Sequence, residues 1–80
     1  MSDTKLFCID GIYVTLTKDE LKEHYSNTFK TNHDKMQDLS ALAKSAERRG
    51  EKDLARKYRR QYTELKSEID FYASNLINWN

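Results

Sequence analysis

The chain has 80 residues, 38% apolar and 34% charged, with a formal net charge of +1. That suffices for one small domain (1–80) with one core, and it is too much patterned hydrophobicity for a disordered tail. No proline, two glycines and one cysteine argue against long irregular loops and exclude an internal disulfide. The lone cysteine points to a reducing, cytoplasmic setting. The longest apolar run, Ile12-Tyr13-Val14, is too short for a transmembrane helix or a signal-peptide core, so no membrane contact is expected.

Residues 1–17 read as a β-hairpin. Asp10-Gly11 suits a two-residue type I′ turn, in which both central residues take positive φ. A turn there pairs Ile9 with Ile12, Cys8 with Tyr13, Phe7 with Val14, Leu6 with Thr15 and Lys5 with Leu16. One face then collects Phe7, Ile9, Ile12, Val14 and Leu16, and the other carries Leu6, Cys8, Tyr13 and Thr15. Such a hairpin is marginal alone, so the apolar face needs a cover.

A helix should begin directly afterwards. Thr17-Lys18-Asp19-Glu20 fits a capping box, and Leu16 and Leu21 occupy the two positions of a hydrophobic staple. Leu21, Tyr25 and Phe29 continue as a narrow apolar stripe. The polar cluster Thr31-Asn32-His33-Asp34 predicts an end there, giving one short helix over 18–31.

Residues 34–80 read as a long αα-hairpin packed as a small helical bundle. Its first arm carries Met36, Leu39, Leu42, Ala43 and Ala46. The second carries Ala55, Tyr58, Tyr62, Leu65, Ile69, Tyr72, Leu76 and Trp79 in alternating steps of three and four. Gly50 lies where the apolar phase jumps, and reads as a left-handed C-cap opening the hairpin. The alternative is one uninterrupted helix, at a cost of about 1 kcal/mol for the interior glycine. The overall expectation is an α+β fold that is mostly α.

The spacing of Leu39, Leu42, Ala43, Ala46, Gly50 and Ala55 resembles part of a tetratricopeptide repeat over about 17 residues. Arg59 and Tyr62 stand where such repeats have an aromatic and then a small residue. The resemblance implies a helical hairpin and carries no function.

Enzyme signatures are lacking. Two glycines cannot build a phosphate loop, and Cys8 on a strand has no histidine at a spacing that would pair with it. His24, His33 and Asp34 span an expected helix end and make a poor ligand set. No catalytic residue, cofactor or metal is expected.

Charge distribution says more. Residues 1–43 hold five cations against seven anions, residues 44–60 eight against three, and residues 61–80 one against three. All five arginines fall in the central basic segment. Lys44, Arg48, Arg49, Lys52, Arg56, Arg59 and Arg60 are the candidate partner-binding residues, with Lys57 beside them. Arginine's planar fork favours carboxylate or phosphate recognition over mere solubility. Tyr72, Leu76 and Trp79 would form a self-association patch, and a homodimer through the C-terminal helix, if the N-terminal part left them uncovered.

The expected function is therefore non-enzymatic. The chain reads as an adaptor, inhibitor or accessory regulator that binds a larger protein through an acidic surface; the alternative is a nucleic-acid-binding module using 44–60. Phe, Tyr, Met, Ile, Asn and Lys total 28 against 12 for Gly, Ala, Arg and Pro, which fits an AT-rich source such as a phage or mobile element.

Overall fold

Two strands and two helices follow one another along the chain. They are β1 (Thr4–Ile9), β2 (Ile12–Thr17), α1 (Lys18–Arg48) and α2 (Lys52–Ile77). This computed structural model describes residues 3–79; residues 1, 2 and 80, at the ends of the expected 1–17 and 34–80 segments, lie outside the described residues. The class is α+β, mostly helical, with a two-stranded antiparallel sheet.

Asp10 and Gly11 both take positive φ, at 53° and 79°, as a type I′ turn requires. The strand register is Ile9↔Ile12, Cys8↔Tyr13, Phe7↔Val14, Leu6↔Thr15 and Lys5↔Leu16, with Thr4↔Thr17 closing the ladder. Phe7 and Leu16 are buried, and Ile9 and Val14 pack partly against the core. Ile12, on the same face, overhangs beside the turn and is exposed.

Thr17 caps α1. Its hydroxyl accepts from the Glu20 N–H at 3.2 Å, while its own N–H donates to Glu20 Oε1 at 2.9 Å. Leu16 and Leu21 flank this box and are both buried, so the staple fixes the angle at which the sheet meets the helix. Glu20's carboxyl is held below the usual range, first by the Thr17 backbone N–H and then by the Thr17 hydroxyl.

The expected helix break at 31–34 does not occur. Helix α1 runs unbroken for 31 residues, so the short helix and the first arm are one element and the αα-hairpin opens at Lys18. The reason is Asn32, which faces the partner helix. It is 4% exposed, and its Nδ2 donates to the Leu65 carbonyl at 3.1 Å and to Glu68 Oε2 at 2.9 Å. A short polar side chain thus joins the helical pair instead of capping an end. The seam of α1 passes through Leu21, Tyr25, Thr28, Asn32, Met36, Leu39, Ala43 and Ala46, all buried or half-buried. Phe29, read from sequence as part of the stripe, is 42% exposed.

Gly50 ends the first arm at φ 78°. The Gly50 N–H donates to the Glu47 carbonyl at 3.0 Å and the Glu51 N–H to the Ala46 carbonyl at 2.9 Å. These two bonds define a Schellman motif with Arg49 as C-cap. The two arms, of 31 and 26 residues, are close in length. The N-terminal half of α1, with the sheet, therefore covers the part of α2 beyond Ile69. The molecule is a rod of 57 × 21 × 18 Å, with the sheet at one end and the Arg49–Glu51 turn at the other.

Phe7, Leu16, Leu21 and Tyr72 form the buried cluster at the sheet end, with Tyr25, Leu76 and Trp79 packed around them. The Phe7 ring stacks on Trp79 at 6.3 Å and meets Phe71 edge-on. At the turn end the helices meet through alanines: Ala43, Ala46 and Ala55 are all buried.

Candidate basic interface

Eight cations surround the inter-helix turn because three features coincide. The Schellman turn folds 44–48 back beside 52–60, alanines fill the seam, and the remaining positions of both helices point outward. Lys44, Arg48, Arg49, Lys52, Arg56, Lys57, Arg59 and Arg60 are all exposed. Lys44 and Arg48 lie one turn apart on α1, and Lys52, Arg56 and Arg60 occupy successive turns of α2.

The three anions of this end each engage one arginine. Arg49 donates from Nε to Glu51 Oε2 at 3.2 Å, with its Nη2 at 3.0 Å from the same oxygen. Arg56 approaches Asp53 at 3.8 Å within the first turns of α2. Arg59 reaches across the pair to Glu47 and is the one ion pair of the three that joins the two helices. Among the described residues, Lys44, Arg48, Lys52, Lys57 and Arg60 have no carboxylate within 4.0 Å. Five cations are thus free, on both arms of the hairpin. The exposed pairs contribute little to stability, so the arginines they hold remain open to exchange for another anion.

Beside these cations lies a recess of about 440 Å³, lined by Gln37, Ser40, Lys44, Arg48 and Tyr62. A second of about 280 Å³ shares Ser40, Lys44 and Tyr62 with it and extends to Arg59 and Glu47. Tyr62, Ser40 and Ala41 have no charge to draw attention in the sequence. Their only signal is the run of small residues Ser40, Ala41 and Ala43 opposite a tyrosine.

At the other end the suggested self-association residues are in contact with the sheet. Tyr72 is buried, and Leu76 and Trp79 are half-buried against Phe7, Leu16 and Leu21. The N-terminal part does cover them. Lys5 Nζ sits 4.8 Å above the Trp79 ring. Burial raises the pKa of the Tyr72 phenol, the charges of Asp10 and Glu68 raise it further, and a hydrogen bond with Thr28 opposes them.

Cys8 is free and exposed on the outer face of β1. His24 stacks on Tyr72 at 5.8 Å, and His33 stacks on Phe29 at 5.2 Å. Neither histidine lines the recess that Cys8 borders with Thr28, Glu68 and Tyr72. Among the described residues, no three His, Cys, Asp or Glu side chains converge as a metal-ligand group, and no helix is long and apolar enough to cross a membrane. No protein family, characterised protein or solved structure matches this chain.

Proposed function

We propose that the chain is a non-enzymatic binding module, an adaptor, inhibitor or accessory regulator, that docks its basic end on an acidic surface of a larger protein. The observation that carries this reading is the set of five unpaired cations, Lys44, Arg48, Lys52, Lys57 and Arg60, gathered at one end of a 57 Å rod. Isolated surface charges are ordinary. A concentration at one end, away from the acidic remainder of the chain, creates a directed field that steers an anionic partner towards that end.

A second reading has its own support. Lys52, Arg56 and Arg60 recur every turn along α2, which suits a row of phosphates as well as a row of carboxylates.

One experiment separates the two. The chain is used as bait in a lysate with and without nuclease, beside the double variant Arg56→Glu/Arg60→Glu. Both positions are exposed, so helicity should hold, with a cost below about 0.5 kcal/mol each. An acidic protein partner survives nuclease, is lost with the double variant, and shows a shallow salt dependence. Binding to duplex DNA through the five free cations would give log K falling with log salt at a slope of about −4 to −5. Full retention of the captured partner both by this double variant and by Lys44→Glu/Arg48→Glu rejects the basic end as the interface.

A further inference from the structure

The alanine contacts that bring α1 and α2 together near the turn leave a trough along one side of the pair. Its two recesses, about 440 and 280 Å³, share Ser40, Lys44 and Tyr62 in their lining. Met36, Leu39, Ala43 and the Tyr62 ring supply its apolar lining, with Gln37 and Ser40 as uncharged polar groups beside them. The rim is cationic on both sides, with Lys44 and Arg48 from α1 and Arg59 from α2. Glu47 is the acidic group in the lining, and Arg59 already occupies it. From Met36 to Arg48 the trough follows α1 for three turns, a length of ~18 Å.

We infer that this trough receives an acidic amphipathic helix of the partner protein, seated as a third helix beside α1 and α2. The inference rests on the acidic-partner reading and narrows it to one place and one shape. A two-helix pair buries one seam and leaves a groove whose direction and width match another helix. Apolar side chains of the incoming helix cover Met36, Leu39 and Tyr62. Carboxylates one turn apart meet Lys44 and Arg48, and a third draws Arg59 from Glu47. A phosphodiester chain would satisfy the rim and leave the apolar lining wet, so that lining favours the peptide.

The test uses the full chain, isotope-labelled for NMR. The probe is a synthetic helical peptide of about sixteen residues, with leucine in alternating steps of three and four and glutamate on the flanking positions. Its scrambled isomer and a single-stranded thymidine oligonucleotide serve as comparisons. Amide shifts are expected at Ser40, Ala43 and Tyr62 with the peptide and not with its isomer. Ser40→Trp fills the trough without altering charge. Ala41→Trp does so from an exposed position that does not strain the helical seam. Each should weaken peptide binding at least about tenfold while circular dichroism is unchanged. Undiminished binding to both filled variants, or shifts confined to the turn around Gly50, overturns the inference. If Arg56→Glu/Arg60→Glu loses the lysate partner and the filled variants keep it, the acidic-partner reading stands and the trough falls. Displacement of the peptide by the oligonucleotide overturns both.

Discussion

Asn32 and Glu68 are joined across the helical pair by a 2.9 Å hydrogen bond, the carboxamide of one arm donating to the carboxylate of the other. The same Nδ2 also reaches the Leu65 carbonyl, one turn earlier on α2. A buried amide at a seam position is satisfied in only one alignment of the two helices, so Asn32 selects their register where alanine and leucine contacts would tolerate sliding.

Asn32→Asp tests that contact directly. The introduced carboxyl would face Glu68 and the Leu65 carbonyl, both acceptors, and should cost about 1–3 kcal/mol at neutral pH. Its pKa would lie higher folded than unfolded, so the folded state binds more protons and stability should rise as pH falls from 7 towards 5. Urea midpoints at the two pH values give the answer. A variant that gains nothing on acidification rules out the contact.

Gly50→Ala should destabilise the protein by about 1 kcal/mol. At φ 78° an alanine is strained even though nothing lies within 4 Å of the added Cβ. Gly50→Asn should recover part of the loss, because asparagine tolerates the left-handed region. A higher melting temperature for the alanine variant would contradict the Schellman turn.

Tyr72 makes stability sensitive to alkali. Its phenol keeps its proton to higher pH when folded, because of burial and of the charges on Asp10 and Glu68. The folded state therefore binds more protons than the unfolded state above the ordinary phenol value of 10.0, and stability falls as pH rises past it. Tyr72→Phe should flatten that decline relative to the parent chain in denaturation at pH 9 to 11. Parallel profiles for the two proteins would refute the assignment.

Glu20 acts at the opposite end of the scale. Its lowered carboxyl pKa comes from the Thr17 backbone N–H and hydroxyl, so its contribution is present above the unfolded value of 4.5 and lost as pH falls through the folded value. Glu20→Gln should differ in stability from the parent at pH 6 and converge with it in strong acid. Carboxyl NMR titration should place Glu20 below 4.5; a normal titration would argue against the capping box.

The hairpin was legible because two independent signals agreed there: Asp10-Gly11 supplied the turn, and alternation from Phe7 to Leu16 supplied the register. Gly50 was legible for a similar reason, a cap residue coinciding with a phase change. The long first helix was not. Thr28 and Asn32 hold seam positions that apolar residues usually fill, while exposed Phe29 drew the stripe aside, so polar residues serving an inter-helix contact looked like a helix end. The cations could be counted from sequence, but their pairing could not. Glu47 and Arg59 meet only once the helices are placed side by side, and the trough is bounded by small residues whose meaning is the space they leave.

The chain's one tryptophan sits where the sheet closes on the helices, stacked on Phe7 and beneath Lys5. That position makes the protein its own optical gauge. Indole emission reports whether the two-stranded flap is seated, whereas far-ultraviolet dichroism is dominated by the two helices. If emission shifts at lower denaturant than ellipticity, the flap lifts first and the helical rod outlasts it. If the two curves superimpose, the Phe7–Trp79 stack belongs to the same cooperative unit as the basic end, and a ligand seated there would be felt by the indole at the far end of the rod.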